Sequence, residues 1–211
     1  MRIPIAKEGY IFIIPLALLT LGAWLLGWTW ATCVIGLLFI FVLSFFRDPE
    51  REIPTGPNLV VSPADGKVVV ITTEDDPFNG KKMMRISIFL NVFNVHVNRV
   101  PVAGEIVDVR YNHGKFMNAF NEKASMDNEQ NALLMQHGET AVVVKQIAGL
   151  IARRIVCWAK PGDRYERGQR FGLIRFGSRV DIMLPEETQL NVKLGDQVRG
   201  GKDIIGTLPE N

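Results

Sequence analysis

Ser178 is the residue around which chemistry can be built. It lies in Arg175-Phe176-Gly177-Ser178-Arg179-Val180-Asp181, between two runs rich in Val, Ile and Phe. Glycine relieves crowding and permits unusual φ, so the hydroxyl that follows it can approach the preceding carbonyl. That approach is what an internal N→O acyl shift requires. Gly-Ser pairs are also common turns, so the pair alone carries little weight. Only three histidines are available as bases: His96, His113 and His137. His96 lies in Phe93-Asn94-Val95-His96-Val97-Asn98-Arg99-Val100-Pro101, His113 follows a strand-like run, and His137 before Gly138 reads as a turn residue. Asp65, in Ser62-Pro63-Ala64-Asp65-Gly66, reads locally as a turn residue. Its carboxylate is also of the kind that holds a histidine in the correct tautomer in a Ser-His-Asp relay. No H-E-x-x-H or C-x-x-C spacing occurs, so a metal site has no support. Phosphate loops of the Walker A or G-x-G-x-x-G type are absent too.

The elements that must position these groups are mostly strands. Runs at 67–72, 85–90, 105–111, 141–147, 152–159, 173–176 and 180–184 are rich in Val, Ile and Phe and are separated mainly by turn residues. A short helix is expected near 116–126. Two pairs of repeats stand out. Pro63-Ala64-Asp65-Gly66-Lys67-Val68-Val69 matches Pro101-Val102-Ala103-Gly104-Glu105-Ile106-Val107. Lys160-Pro161-Gly162-Asp163, with Gly168 and Gly172, matches Lys193-Leu194-Gly195-Asp196, with Gly201 and Gly206. Each resembles a piece of a biotinyl/lipoyl-carrier sandwich. The expected fold is mainly β (α+β): two pseudo-repeated barrel-sandwich halves forming one domain, preceded by a hydrophobic helical hairpin.

The hairpin carries the hydrophobic excess of the chain. The 211 residues are 47% hydrophobic and 22% charged, with a mean hydropathy of +0.13. Residues 9–46 form a stretch of 38 without an Asp, Glu, Lys or Arg. That is too long for a signal peptide, whose apolar core is about 7–15 residues. As a single helix it would span about 57 Å, nearly twice a bilayer core of about 30 Å. Gly27-Trp28-Thr29-Trp30 supplies a turn, with Trp24 close by; tryptophan favours the membrane interface. Two helices, about 11–26 and 31–46, are therefore expected. Arg2 and Lys7 before the run, and Arg47 and Arg51 after it, place both ends on the cytoplasmic face of the cell membrane. Spanning the bilayer and lying in one leaflet both remain open. The expected domains are a membrane-anchoring hairpin at 1–47 and a catalytic domain at 48–211. A net charge of +2 gives no reason to expect nucleic acid. Cys33 and Cys157 read as small hydrophobes in a reducing compartment.

Together these pieces resemble the phosphatidylserine decarboxylase proenzymes, in their short form. The resemblance runs from about residue 46 to 208. It rests on Phe46-Arg47-Asp48-Pro49, Ser62-Pro63-Ala64-Asp65-Gly66, His96-Val97-Asn98-Arg99-Val100-Pro101-Val102-Ala103-Gly104, Asn128-Glu129, the stretch 146–155, and Phe176-Gly177-Ser178, in that family's order. It implies a self-processing lyase. Ser178 Oγ attacks the Gly177 carbonyl, the resulting ester undergoes β-elimination, and the new N-terminus becomes a pyruvoyl group. Cleavage between Gly177 and Ser178 would give a β chain, 1–177, and an α chain, 178–211. The covalent pyruvoyl cofactor derived from Ser178 would decarboxylate phosphatidylserine to phosphatidylethanolamine by Schiff-base chemistry, as an electron sink. The resemblance is also compatible with a homodimer. Catalytic roles fall on Ser178, His96 and Asp65, and Arg153, Arg154 and Arg179 are candidates for the lipid phosphate.

The chain departs from the family at one place. Longer members carry H-x-x-H before the P-x-x-G turn; here the positions are His96 and Arg99, and arginine is no base at neutral pH. The base for self-cleavage is therefore open. So is the lipid backbone, since archaetidylserine presents the same headgroup. Two other classes compete: a membrane-anchored biotinyl/lipoyl-like adaptor, for which neither Lys67 nor Lys193 is a convincing attachment lysine, and a membrane-tethered serine hydrolase.

Overall fold

The computed structural model describes residues 3–114, 128–149, 154–175 and 178–210. The expected helix near 116–126, and with it Arg153 and Gly177, lies outside the described residues. The chain divides into two compact units, Met1–Glu50 and Arg51–Asn211.

The first unit is a helical hairpin of α1 (Tyr10–Leu25) and α2 (Thr29–Phe45). The chain reverses over 26–28, where Gly27 adopts φ +71° and the Trp28 N–H donates to Ala23 O at 2.9 Å. The turn is shorter than expected, since Thr29 and Trp30 already belong to α2. Its open end is clasped: Ala6 N–H donates to Phe46 O and Asp48 N–H to Pro4 O, both at 2.8 Å. The apolar side chains point outwards, with Ile11, Leu18, Trp30 and Leu37 between 64% and 86% exposed. Residues 7–25 are long and apolar enough to cross a membrane, and α2 is a shorter apolar helix of 17 residues, about 26 Å.

The second unit is mainly β. An eight-stranded antiparallel sheet is built from β2 (Gly66–Asp75), β3 (Lys82–Leu90), β5 (Gly104–Asn112), β6 (Gln130–His137), β7 (Thr140–Ala148), β9 (Arg164–Tyr165), β11 (Ser178–Leu184) and β13 (Gln197–Val198). Its order is β13-β2-β3-β11-β7-β6-β5-β9. Two three-stranded sheets complete the unit. One is β1 (Leu59–Val61), β14 (Ile204–Thr207) and β12 (Gln189–Leu190); the other is β4 (Val97–Arg99), β10 (Arg170–Ile174) and β8 (Ile155–Cys157). One core serves all three: Ile88, Val144 and Val180 of the large sheet cluster with Val60 and Ile205 of one small sheet and Phe171 of the other. Alternation decides which face of β11 meets that core. Val180, Ile182 and Leu184 face it, and Arg179, Asp181 and Met183 face away.

The repeated segments make matching bonds. Val68 N–H donates to Asp196 O at 2.9 Å and Gly195 N–H to Val68 O at 2.8 Å; Ile106 with Asp163 and Gly162 does the same, at 2.8 Å each. Gly162 and Gly195 hold φ of +88° and +95°, a region that favours glycine. In the large sheet the register slips at matching places, between Val68 and Val70 and between Ile106 and Asp108. Gly66 and Gly104 are needed for close approach. A Cβ on either would stand 2.3 Å from a partner carbonyl, Phe89 O or Gln136 O.

All seven expected runs overlap strands. The strand β6 was not expected; Ala, Leu, Met and Gln in Gln130–His137 are good helix formers, and pairing between β5 and β7 overrides that preference. Gly66→Ala should force the β2–β3 pairing apart and cost about 2–3 kcal/mol. For a domain of this size that is a loss of roughly 5–10 °C in Tm, read by thermal unfolding of the full chain in detergent.

Candidate active site

Ser178, read from the sequence as lying between two strand-like runs, opens the central strand β11. It pairs with Leu90 of β3 on one side and Ala148 of β7 on the other. Its position on β11 matches Val180 and Ile182, so its side chain shares the core face. The residue is fully buried, and its Oγ finds no hydrogen-bond partner among the described residues. Buried hydroxyls are normally satisfied, and an orphan costs about 1–3 kcal/mol. It needs an explanation that packing does not supply.

The same end of the sheet gathers the other candidates. Asn128 Nδ2 donates to Ala148 O at 2.7 Å, and Ala148 N–H donates to Glu129 O at 2.9 Å, so the pair Asn128-Glu129 braces the strand beside Ser178. Lys67 opposes Phe89, which places Gly66 level with Leu90 and therefore with Ser178, two strands away. At about 4.8 Å per strand, the Asp65 turn begins about 10 Å from Ser178. Its carboxylate accepts from Arg51 at 2.8 Å and from the Gly200 N–H at 2.7 Å.

His96 immediately precedes β4, and its carbonyl accepts from Ile174 N–H at 3.3 Å. Ile174 ends β10, the strand that leads towards Ser178. His96 is therefore carried to the Ser178 end of the layer between the sheets, where it is 2% exposed. Its Nδ1 lies 3.0 Å from Asn94 O. A carbonyl only accepts, so Nδ1 carries the proton and Nε2 of the neutral ring is the basic nitrogen. Arg99 is buried and structural: its N–H donates to Pro63 O and its Nη1 to Gly168 O, both at 2.9 Å.

The other candidates are elsewhere. His113 is exposed and meets the Tyr111 ring edge-on at 4.9 Å. His137 ends β6, and its Nδ1 contacts Ala103 O at 2.6 Å. The expectation of a phosphate role for Arg179 is corrected. The side chain is fully buried, with Nε 2.6 Å from Asp181 and Nη2 2.8 Å from Ser87. It belongs to an ion network on the outer face of the sheet, in which Arg85 pairs with Glu74 at 2.8 Å and Lys145 reaches Glu74 at 3.4 Å. Arg154 is exposed.

A polar chain crosses the core beside Ser178; two of its members, Asn98 and Gln146, lie in the segments that carry the family resemblance, but nothing in those segments assigned them a role. Gln146 Nε2 donates to Asn98 Oδ1 at 2.9 Å and to Val156 O at 3.3 Å, while Asn131 Nδ2 donates to Gln146 Oε1 at 3.2 Å. Gly172 makes room for it, since a Cβ there would stand 2.9 Å from Gln146 Nε2. Isolated Asn and Gln in short strands have no signature that marks them as buried.

A buried serine at the head of the central strand and a buried histidine at the same end of the sheet form a candidate serine-based active site, in a chain that also carries an apolar helical hairpin. Comparison with known proteins narrows this. The family model described as phosphatidylserine decarboxylase matches residues 38–206. The phosphatidylserine decarboxylase proenzyme of Geotalea uraniireducens (strain Rf4) is 47% identical over 207 residues, covering 98% of this chain and 97% of its own. That of Geobacter metallireducens is 45% identical over 212 residues, covering 98% and 97%, and that of Cupriavidus pinatubonensis 44% over 208 residues, covering 98% and 96%. The chain belongs to the phosphatidylserine decarboxylase family, a family of carboxy-lyases.

Tyr111 bonds Glu129 through its hydroxyl at this end of the sheet. Burial, and then that bond, push its pKa up from 10.0 to about 12. The neutral phenol is the form that folding favours, so this contribution to stability is whole below pH 10 and is lost as pH rises towards 12. Ultraviolet titration of tyrosinate should show this late ionisation, and Glu129→Gln should move it to lower pH.

Proposed function

We propose that the chain is a self-processing, pyruvoyl-dependent decarboxylase that converts phosphatidylserine to phosphatidylethanolamine and CO2 at the surface of a membrane. The observation that carries the reading is the buried, unpartnered Ser178 Oγ at the head of β11, in a chain whose relatives are named proenzymes. A hydroxyl held dry with no competing bond is free to attack the peptide on its own N-terminal side. β-Elimination of the resulting ester leaves chain 1–177 with a carboxylate end and chain 178–211 with a dehydroalanine, and water then releases its nitrogen as ammonia, leaving a pyruvoyl group in place of Ser178.

The site fits such a group: Ala148 and Leu90 flank the position with apolar side chains, and Ser178 lies wholly out of water. When present, the group supplies an electron sink for decarboxylation through Schiff-base chemistry with the substrate amine. The residues around it do the rest. His96, through Nε2, takes the Ser178 hydroxyl proton during processing and returns a proton to the substrate Cα after CO2 leaves. Asp65 acts as a positioning residue, fixing the turn that enters β2 through its bonds to Arg51 and Gly200.

The hairpin, residues 1–47 in this reading, anchors the catalytic domain, 48–211, at the cytoplasmic face. Its outward apolar side chains and its tryptophans at the turn suit lipid and interface. The matched bonds of Val68 with Asp196 and Ile106 with Asp163 support two pseudo-repeated barrel-sandwich halves of the biotinyl/lipoyl kind. A homodimer is compatible with the same reading.

Purified protein should run as two fragments, about 20 and 4 kDa at roughly 0.11 kDa per residue, and intact mass should show a pyruvoyl cap on the smaller. Ser178→Ala should stay whole and lose decarboxylation. An active enzyme that remains a single chain would overturn the proposal.

A further inference from the structure

The polar chain beside Ser178 has a direction. Val156 O is a backbone carbonyl and can only accept, so it fixes the Gln146 side chain with Nε2 towards it at 3.3 Å. The same Nε2 meets the Asn98 side chain at 2.9 Å, so Asn98 must present Oδ1 there. Gln146 Oε1 faces outwards to Asn131 Nδ2 at 3.2 Å. The Asn98 Nδ2 group is left over. It is wholly buried and has no partner among the described residues.

That leftover donor and the other orphan are linked through Gln146. Asn98 rests on Gln146, which opposes Val180, and Ser178 opposes Ala148, the next core-facing residue along β7. Ser178 and Gln146 are thus diagonal neighbours on one face, with Cα atoms about 7–8 Å apart. A donor without an acceptor and a hydroxyl without a bond are thus both buried, one bonded to Gln146 and the other its diagonal neighbour.

The fold does not require an amide at this place. Asn98 pairs with Gly172 just as Val60 pairs with Gly206 in the matching small sheet. Val60 is fully buried there, in the hydrophobic core. One half fills the position with a valine; the half that contains Ser178 fills it with a group that costs free energy to bury unless something binds to it.

We infer that Asn98 supplies the hydrogen-bond donor for self-cleavage, its Nδ2–H donating to the oxygen on which negative charge develops when Ser178 attacks. The inference rests on the self-processing reading of the chain. In the step, an Oγ lone pair forms a bond to the carbonyl carbon of the preceding peptide. The carbonyl π pair moves onto its oxygen, and the Oγ proton passes to the base. Collapse restores the carbonyl, breaks the C–N bond, and leaves the Ser178 nitrogen to take a proton. The charged oxygen exists only between these events, so a donor waiting unpaired in the precursor gains its partner when charge develops.

The test tracks processing of the full chain in detergent by gel and intact mass over time, for the wild type, Ser178→Ala, Asn98→Ala and Asn98→Asp. Asn98→Ala should slow cleavage about 100-fold or more, the loss usual for one oxyanion donor. Asn98→Asp helps to separate a catalytic donor from a packing role, because a carboxylate oxygen keeps the bond from Gln146 while the donor is lost and a negative charge is set where the developing charge must be stabilised. It should be uncleaved at pH 8 and should recover as pH falls and its carboxyl gains a proton to donate, against a wild type that does not gain in that direction. Asn98→Asp cleaving at the wild-type rate at pH 8 would overturn the inference. A wild-type chain that never splits would instead remove the self-processing reading on which it rests.

Discussion

Everything at the site depends on one constraint: Ser178 is the first residue of a strand that is paired on both sides. Residues 178–184 pair with β3, and 178–183 with β7, in unbroken register. The residue after Ser178 is nailed down as well, since Arg179 is buried against Asp181 and Ser87. Removing one partner of such a pair strands a buried charge and typically costs 3–5 kcal/mol. A break before Ser178 therefore does not free the strand that Ser178 opens. The C-terminal piece stays as the centre of the large sheet, and it keeps β13 at that sheet's edge and β14 between β1 and β12. Chain cleavage and an intact fold are compatible for this reason.

The two halves of the domain resemble each other in bonds and differ in chemistry. Val68 and Ile106 occupy matching places, as do Asp163 and Asp196, whose carboxylates accept from Lys160 N–H at 2.9 Å and Lys193 N–H at 3.0 Å. The difference begins after the small sheets. The strand β10 precedes β11, the strand that Ser178 opens. In that half His96, Asn98 and Gln146 are buried where strand pairs alone would be content with apolar side chains.

The legible parts of the sequence were those with local physics. Alternating or continuous β-branched runs located seven strands, Gly-Asp turns located their connections, and an uncharged stretch located the hairpin. Ser178, His96 and Asp65 stood out because they lie in motifs. The strand β6 was hidden by its helix-forming composition. Asn98 and Gln146 lie in quoted segments too, yet their roles, and that of Asn131, were hidden because their burial is a property of sheet packing, set by residues ten or more positions away in the chain. Arg179 failed in the opposite sense: an arginine beside a candidate nucleophile invites a phosphate, but β11 turns it to the far face, where Asp181 is already waiting.

With Arg99 in place of a second histidine, the acid–base work falls on few groups. Arg99 ties two turns together, through Pro63 O and Gly168 O, and cannot accept a proton. Among the described histidines, His113 is exposed beside Tyr111 and His137 caps the far end of β6. His96 is the one set at the Ser178 end, with Nδ1 committed to Asn94 O and Nε2 as its basic nitrogen. In the proposed reaction its two tasks never coincide. Processing takes a proton from Ser178 once in the life of the molecule, and decarboxylation returns a proton to carbon in each turnover after Oγ has gone. One nitrogen suffices for both, provided the Asn94 carbonyl holds the same tautomer before and after the cut.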